Sequence, residues 1–466
     1  MGREKKKVLI LIQSGYSARN FILSGFLENS DFEFVFWSDQ DYIKQYNIKN
    51  EYINLPEYDY HWKINFLQKI KSKAELFLNV KRTNNKKYLH YLVGIYKNNS
   101  LRIKLKNWLS NTIAKYYATE KGIQSIDKPF YKAIRKSNYY KSSLEQLKNI
   151  KPDIVFCTHQ RASGAIAPVL GARDLGIKTA CFIHSWDNIP KGVQLVKADN
   201  YFVWSDYMKK EMEFYYPFIN SNCIKVTGTP QFTMYFDKQY EQTRASFFKQ
   251  FDLDPSKKYI LFSGNDKTTS PNDPVYLSHI CDAVININKN SKEEYSVLFR
   301  PNPVDRNSDF DITLKKYPAI LTELKPEWFG SEDFFWNQGG PSNKDISLLT
   351  NSIIHSELII NVGSTIAIDS AILGKPTCWI NFEVDSDYIW SIKRVYQFIH
   401  FKILKGIKPV FWINKLNEIE EVLKDALKNQ QSTLIDRQKL VEIVVKLPIE
   451  ETNKRMWKFL KALDEV

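Results

Sequence analysis

Short apolar runs rich in β-branched and aromatic residues recur along the chain, and each leads into a polar or glycine-containing loop and then a helix-like stretch. This pattern is typical of β-loop-α units, which build parallel sheets covered by helices on both faces. We therefore predict an α/β fold. The predicted strands are Val8–Ile12, Phe32–Phe36, Ile154–Cys157, Thr179–Ile183, Tyr201–Trp204, Ile224–Thr227, Tyr259–Phe262, Ser296–Phe299, Leu358–Val362 and Thr377–Ile380.

The series of strands stops and starts again near the middle of the chain. Gly228-Thr229-Pro230 ends the first series, and residues 252–258 lead into the second. A chain of 466 residues is long enough for two domains that each bury a core. We predict two facing, doubly wound, Rossmann-like domains at residues 1–235 and 236–450, and a helix at 451–466 that packs back across the junction. The loops at the carboxyl ends of the strands would then border one cleft.

Cysteine content and the length of the apolar runs exclude several classes of protein. Five scattered cysteines show neither CxxC pairs nor a His-rich neighbourhood, which favours a reduced cytoplasm and argues against a zinc site. The apolar run after the basic N-terminus stops at Gln13, too early for a signal peptide. No run approaches the roughly 18 apolar residues of a membrane-spanning helix.

Positive charge is concentrated in one segment. The chain carries a net charge of +14, and residues 61–150 contain 20 basic and 4 acidic residues, a local charge of +16. Within this segment a basic amphipathic helix is predicted from apolar residues at helical spacing. Its apolar stripe could pack on the domain, or the helix could lie on an anionic membrane surface. Without a nucleic-acid motif, nucleic acid is not an expected partner. The stripe consists of Leu105, Trp108, Leu109, Ile113, Tyr116 and Tyr117.

The most informative motif lies between residues 355 and 376. A buried strand runs into Gly363-Ser364-Thr365, and a short predicted helix that contains Asp369 follows. Glycine lets a backbone approach a ligand closely, and the start of a helix offers unpaired N–H groups and a positive dipole end. We therefore predict a phosphate site there, with Asp369 accepting hydrogen bonds from a ribose. The alternative is a loop that only turns the chain and caps the helix.

Two further strand-end loops of the second half carry polar groups that suit a phosphate. Arg300 and Asn302 follow one strand, and Gly264 and Asn265 follow another. A guanidinium can bind a phosphate through two hydrogen bonds. Because parallel strands end on the same side of a sheet, these residues and Gly363-Ser364-Thr365 are predicted to form one donor-binding site.

These motifs together resemble the nucleotide-binding half of GT-B glycosyltransferases. The order Tyr259–Gly264, Arg300-Pro301-Asn302-Pro303 and Asn361–Pro376 is similar to enzymes of bacterial surface-polysaccharide synthesis and to the related CDP-glycerol glycerophosphotransferases. In the first half, Ser185-Trp186-Asp187-Asn188 and Val226–Pro230 continue the resemblance. Relatives more often have histidine at the position of Asn302, so a catalytic role of that position does not carry over.

The facing half supplies the candidate base and the acceptor site. Transfer of a sugar to a hydroxyl needs a base within hydrogen-bond reach, and Asp187 and His184 are the leading candidates, followed by His159. The alternatives are that Asp187 caps the start of a helix and that each histidine is a buried structural imidazole. The predicted acceptor-binding residues, on loops after three strands, are Gly15, Arg19, Asn20, Arg161 and Trp186.

The resemblance implies a glycosyltransferase that moves a sugar from a nucleotide-sugar donor to a glycan or lipid-linked acceptor. It further implies an inverting reaction that needs neither a metal nor a cofactor. Its products would be capsule, lipopolysaccharide or teichoic-type polymer, made at the cytoplasmic face of the plasma membrane. A polyol-phosphate transferase and a nucleotide-sugar epimerase share the fold. A catalytically silent, membrane-associated assembly subunit is the alternative from another class.

Overall fold

A computed structural model describes residues 5–38, 41–54, 58, 60–92, 100–192, 196–304, 309–330, 339–384 and 390–463. Two parallel sheets form its framework. The first contains β1 (Lys6–Leu11), β2 (Phe32–Ser38), β3 (Tyr52–Asn54), β4 (Ile154–Cys157), β5 (Lys178–Phe182), β6 (Asn200–Val203) and β7 (Ile224–Val226). The second contains β8 (Lys258–Ser263), β9 (Tyr295–Arg300), β10 (Leu321–Glu323), β13 (Leu358–Asn361), β14 (Thr377–Ile380) and β15 (Phe411–Ile413), and a separate hairpin pairs β11 (Trp328–Phe329) with β12 (Gly340–Pro341).

Helices cover both sheets. Those before β8 are α1 (Gly15–Ile22), α2 (Trp62–Thr83), α3 (Leu101–Tyr116), α4 (Glu120–Arg135), α5 (Asn138–Ile150), α6 (Ile166–Asp174), α7 (Asp206–Tyr215) and α8 (Arg244–Gln250). Those after β8 are α9 (Asp273–Lys289), α10 (Asp309–Lys316), α11 (Asn343–Ile354), α12 (Ile366–Ile372), α13 (Ile392–Val395), α14 (Ile419–Lys428), α15 (Leu434–Val444) and α16 (Thr452–Ala462).

Both sheets are doubly wound. The first has the strand order β3-β2-β1-β4-β5-β6-β7, and the second has the order β10-β9-β8-β13-β14-β15. All pairs within these two sheets are parallel. The strands are buried because helices pack on both faces. The predicted fold of two Rossmann-like α/β domains is therefore confirmed.

The ten predicted strands are all present, with ends that differ by one or two residues. Sequence analysis missed β3, β10 and β15, each three residues long, and the two-residue strands of the hairpin. β3, β10 and β15 lie at sheet edges or next to an outer helix, where a strand needs no long apolar run.

The last two helices extend the core of the first half, where α16 packs on that half and α15 lies between α7 of the first half and α12 of the second. Leu440 of α15 and Met456 and Leu460 of α16 belong to the core around β1, β4 and β5. Trp457 Nε1 donates to the carbonyl oxygen of Phe26 at 3.0 Å. The predicted second domain at 236–450 includes α15, whose apolar residues thus join the core of the other half. The division at residues 235 and 236 stays a prediction.

The structure corrects the simpler interpretation of the basic amphipathic helix. The helix exists as α3, but Leu105, Trp108 and Tyr116 are 66%, 63% and 82% exposed, so these side chains do not pack on the domain. Ile113 and Tyr117 do pack, against a small core between α2, α3 and α4. In the described part of the chain, no helix combines the length and the apolar character needed to cross a bilayer.

We expect Leu460→Ala to lower the free energy of unfolding by about 2–5 kcal/mol, because it removes a fully buried side chain from the contact between α16 and the first sheet. Urea unfolding followed by circular dichroism measures the change. Lys458→Ala on the exposed side of the same helix is the control, with an expected change within about 0.5 kcal/mol. Equal effects of the two substitutions would contradict the packing of α16 on the first sheet.

Candidate functional site

The cleft between the two sheets lies at the point where each strand order reverses. In the first sheet the reversal falls between β1 and β4, and in the second between β8 and β13. Loops that leave such neighbouring strands turn toward opposite faces of the sheet and open a crevice at the carboxyl ends. Residues of both halves line the resulting cleft, whose volume is about 1670 Å³.

The cleft brings together nearly all the predicted site residues. His159, His184 and Asp187 lie in its first-half wall, as do the acceptor candidates Arg19, Asn20, Arg161 and Trp186. All the predicted donor residues line it from the second half, namely Gly264, Asn265, Arg300, Asn302, Gly363, Ser364, Thr365 and Asp369. The roles assigned to them stay predictions.

Gly15 is the exception, because it does not line the cleft. A Cβ atom at Gly15 would lie 1.8 Å from the carbonyl oxygen of Gly339, which belongs to the second half. Glycine at this position lets the start of α1 touch the backbone beside β12. Gly15 therefore serves the contact between the two halves in this structure.

The loop between β13 and α12 is held by contacts on several sides. Gly363 has a φ of 56°, and a Cβ there would lie 3.0 Å from Phe401 and 3.1 Å from Tyr396. The glycine is thus required by the turn and by the rings behind it. The Ser364 N–H donates to Asn361 Oδ1 at 2.8 Å. At the start of α12 the N–H groups of Ala367 and Ile368 donate to the carbonyl oxygens of Ser364 and Thr365, at 3.2 and 2.8 Å.

Thr365 joins the two halves of the cleft. Its hydroxyl oxygen accepts a hydrogen bond from Trp186 Nε1 at 3.2 Å. The Trp186 ring also meets His400 edge-on, with a centroid distance of 5.0 Å. Trp186, predicted as an acceptor residue, therefore reaches the donor loop across the cleft.

Asp369 is a buried carboxyl that faces the linker between the halves. Tyr235 donates to its Oδ1 at 2.5 Å. Burial raises the pKa of Asp369 to about 6, against the opposing effects of the Tyr235 hydrogen bond and of the Arg19 charge. The pKa of this carboxyl therefore lies close to neutral pH. Its second oxygen remains a candidate partner for a ribose hydroxyl.

Arg300 is buried at the end of β9 and forms an ion pair. Its Nη2 donates to the two carboxylate oxygens of Asp345 at 2.8 and 3.0 Å. Trp328 Nε1 donates to the same carboxylate at 2.8 Å. The carboxylate compensates the charge of Arg300, although Arg300 Nε is buried without a hydrogen-bond partner. The expectation that Arg300 offers its charge to a phosphate must take this partner into account.

The neighbouring amide residues are also engaged by their own loops. Asn302 Oδ1 accepts the N–H of Val304 at 3.1 Å. Asn265 is buried, and its side chain donates to Asp273 at 3.3 Å. Both residues line the cleft, but these bonds hold the loops in place.

Asp187 is paired on both carboxylate oxygens. Oδ2 forms an ion pair with Lys191, four residues further on in the same turn segment, and Oδ1 accepts a bond from Asn188 at 3.0 Å. Burial is the largest single effect and would raise the pKa of Asp187, but the Lys191 charge, His400 and the hydrogen bonds from Lys191 and Ser185 together hold the pKa below its usual range. An ion-paired carboxylate of this kind is a poor proton acceptor, so its surroundings favour a positioning role.

The rings of His184 and His159 lie against each other, with centroids 4.0 Å apart and an interplanar angle of 37°. Burial, reinforced by the Arg19 charge, lowers the pKa of His184 from 6.5 to about 4. Burial and the adjacent His184 also hold the pKa of His159 well below its usual value. The same surroundings that keep both imidazoles neutral also weaken them as bases. Of the two leading candidates, His184 has a ring nitrogen without a hydrogen-bond partner, Nδ1, whereas both oxygens of Asp187 are engaged.

Arg19 is the cation that lies between the two walls. Its Nε donates to Asn20 at 3.1 Å, and its guanidinium lies over the Tyr16 ring at 5.1 Å. Among the described residues it has no carboxylate partner. Its charge acts on His184 in the first half and on Asp369 and Tyr235 near the second. An uncompensated cation in such a place suits a phosphate group.

Sequence analysis did not find several residues of the cleft. Tyr235, Trp328 and Asp345 lie in segments that carry no recognisable motif, and no possible partner residues surround His400 in the sequence. The structure places His400 in the cleft beside Trp186, where burial lowers its pKa to about 3. Only the proximity of distant segments could have indicated these residues.

Solved structures with the same architecture are known. MnaA from S. aureus, in a structure with UDP, has a TM-score of 0.55 and 13% identity, with 99% of this chain and 97% of that chain covered. A UDP-GlcNAc 2-epimerase from Neisseria meningitidis bound to UDP-GlcNAc has a TM-score of 0.51 and 12% identity, with 98% and 99% covered. A glycosyltransferase from Rickettsia africae has a TM-score of 0.51 and 11% identity, with 99% and 100% covered.

At these identities the likeness shows the fold, which is the GT-B arrangement of two Rossmann-like domains. The solved proteins that share it are enzymes of the epimerase and glycosyltransferase type. No family model and no curated protein matches the sequence. The resemblance to CDP-glycerol glycerophosphotransferases thus has no support from sequence comparison and stays a prediction.

The buried histidines predict a pH-dependent stability. The pKa values of His184 and His400 fall from 6.5 to about 4 and about 3 on folding, so the unfolded chain binds more protons below pH 6.5. We expect the free energy of unfolding to decrease as the pH falls from 6.5 to 4. His400→Gln should flatten this slope, and His61→Gln at an exposed position should not. Urea unfolding at several pH values measures the slope, and an unchanged slope in His400→Gln contradicts the assignment.

Proposed function

We propose that this protein binds a nucleoside-diphosphate sugar in the cleft and breaks the bond between the anomeric carbon and the diphosphate. The supporting observation is the meeting, in one cleft at the reversal points of two doubly wound sheets, of a polar strand-end loop from each half. Ligands of open α/β sheets bind in such crevices. The presence of UDP and UDP-GlcNAc in solved structures of the same fold is consistent with this proposal.

The second half is proposed to hold the nucleotide. Asp369 accepts a hydrogen bond from a ribose hydroxyl, and the loop of Gly363, Ser364 and Thr365 borders the diphosphate. Arg19 reaches this region from the first half and stabilises the negative charge that the leaving diphosphate gains. Since the charge of Arg300 in the second half is already paired with Asp345, the first half supplies a further cation through Arg19.

Two reactions start with departure of the nucleotide, and different observations favour each. Several solved structures of this fold are UDP-GlcNAc 2-epimerases, which favours epimerisation of the bound sugar. The cleft volume of about 1670 Å³ exceeds the roughly 300–1,000 Å³ of an ordinary ligand pocket, which favours transfer because a second substrate has room.

Transfer uses the neutral His184. The imidazole takes the proton of an acceptor hydroxyl, and the acceptor oxygen forms a bond to the anomeric carbon. The bond from that carbon to the phosphate oxygen breaks, and its electron pair leaves with the nucleoside diphosphate. In epimerisation no acceptor is needed. A base removes the proton on C2 as the bond from C1 to the phosphate oxygen breaks, which leaves a C1=C2 double bond. A proton then adds to C2 from the opposite face while the nucleoside diphosphate adds back to C1.

Arg19→Gln tests the nucleotide site. A charge-assisted hydrogen bond contributes about 1.5–3 kcal/mol, so we expect about 10- to 150-fold weaker binding of UDP or a related nucleoside diphosphate. Binding of the uncharged nucleoside should change little. Thermal shift with UDP, GDP and CDP measures affinity, since stability rises with the ratio of ligand concentration to Kd.

Arg102→Gln on exposed α3 is the matched control and should bind nucleotides like the original chain. If no nucleotide stabilises the protein, the enzyme proposal is wrong and a silent assembly subunit becomes the better interpretation. If Arg19→Gln binds normally, the diphosphate lies elsewhere in the cleft.

His184→Gln tests the base. We expect turnover to fall about 10²- to 10⁴-fold with unchanged nucleotide affinity, because general-base catalysis is lost while the donor loop stays intact. His279→Gln, on α9 outside the cleft, is the control. Nuclear magnetic resonance of the sugar separates the two reactions. A new C2 epimer without any acceptor shows epimerisation, whereas release of the nucleotide that depends on an acceptor shows transfer.

A further inference from the structure

A group of apolar side chains at the start of α2 and along α3 faces solvent. Trp62 of α2 is 68% exposed, and Leu101 and Leu105 of α3 are 82% and 66% exposed. Such a concentration of large exposed apolar residues marks an interaction site on a folded protein. We define the α2–α3 face by Trp62, Phe66, Leu101, Leu105, Trp108 and Leu109.

The two helices run side by side in the same direction. Lys73 of α2 donates to Ser110 Oγ and Asn111 Oδ1 of α3, at 2.8 and 2.6 Å. Lys81, two turns further along α2, donates to the carbonyl oxygen of Ala118 at 3.1 Å, just beyond the end of α3. Residues further along α2 thus bond to residues further along α3, so the amino ends of both helices lie at the same end of the pair. Trp62 and Phe66 therefore lie at the same end of the pair as Leu101 and Leu105.

The exposed residues are not needed to hold the helices together. Ile70, Ala74 and Phe77 of α2 pack on Ala114 of α3 and form the buried core of this pair. The hydrogen bonds of the buried Lys73 side chain also join the two helices. The α2–α3 face therefore stands on a stable scaffold and is available to a partner.

The surroundings of the face are strongly cationic. Arg102, Lys104 and Lys106 are exposed on α3, which contains no acidic residue, and Lys63 and Lys69 are exposed on α2. The only acidic residue of α2, Glu75, is buried. Apolar side chains beside lysines and arginines suit the boundary between headgroups and acyl chains of an anionic bilayer. Two copies of such a face would repel each other, and a nucleic acid offers no place for exposed leucines.

The other side of α3 borders the cleft. Ile103 and Asn107 of α3 and the adjacent Leu92 line the same cleft as Asp187 and Gly363. A surface that covers the start of α3 therefore lies at the mouth of the cleft.

We propose that the α2–α3 face docks on an anionic lipid bilayer and thereby turns the mouth of the cleft toward the membrane. The substrate that enters beside α3 is then a lipid-anchored acceptor, a conclusion that rests on sugar transfer as the proposed function. The docking itself does not depend on which reaction the cleft performs.

Flotation of the full chain with vesicles tests the docking. We expect recovery with vesicles of phosphatidylcholine and 30% phosphatidylglycerol and little recovery with phosphatidylcholine alone. Leu105→Glu combined with Trp108→Glu should abolish flotation. Lys104→Gln combined with Lys106→Gln should weaken it about 30-fold, at about a tenfold loss per 1.4 kcal/mol and about 1 kcal/mol per basic residue.

Ile312→Glu is the matched control, since Ile312 is 75% exposed on α10 and far from α3 in the chain. It should float like the original protein. All variants should keep the nucleotide-induced thermal shift, which separates failure of docking from failure of the nucleotide site. Equal flotation with both kinds of vesicle, unchanged flotation of the Leu105 and Trp108 variant, or a dimer in solution that this variant dissociates would each overturn the proposal.

A fluorescent label tests the orientation of the cleft. An environment-sensitive nitrobenzoxadiazole group on Ile103→Cys, in a Cys223→Ser background, should shift its emission to shorter wavelength on the anionic vesicles. The same label on Ile312→Cys should not shift. Cys223 is the partly exposed native cysteine, and the other four are buried. An unshifted label at position 103 on bound protein would show that the mouth of the cleft faces away from the bilayer.

Discussion

The parallel pairing of β1 with β4 and of β8 with β13 is the constraint on which the site depends. Each pair joins strands whose connections run to opposite faces of the sheet, so the loops after them part and leave a crevice. The two crevices face each other and form one cleft. Arg19 after β1, His159 after β4 and Gly363 after β13 are far apart in sequence and share this cleft for that reason.

Buried charge decides which groups remain available for chemistry. Arg300 forms an ion pair with Asp345, and Asp187 forms one with Lys191, because a buried charge without a partner is costly. The histidines of the first half and the Arg19 guanidinium have no carboxylate partner among the described residues. Because both oxygens of Asp187 are engaged, His184 is the proposed base, and Arg19 is the cation proposed to stabilise the leaving diphosphate.

The α2–α3 face shows the limit of helical periodicity as a guide. The apolar spacing of Leu105, Trp108 and Leu109 predicts a helix, and the helix exists. A stripe of this kind ordinarily packs on its own domain. Here the inner side of the helix pair is already filled by Ile70, Ala74 and Phe77, so the stripe points outward. Local spacing reveals that a helix has an apolar side and does not reveal which surface that side meets.

The amino-acid sequence by itself determined the α/β architecture, ten of the strands and a set of site residues of which all but Gly15 line the cleft. Runs such as Ile154–Cys157 carry their strand signal locally, and parallel strands place the loops that follow them at one edge. Only the tertiary structure decided the partners of Arg300 and Asp187, the entry of His400 and Tyr235 into the cleft, and the packing of α15 and α16 on the core of the first half. These features depend on contacts between distant segments and on burial, which set protonation and charge compensation and leave no periodic trace in the chain.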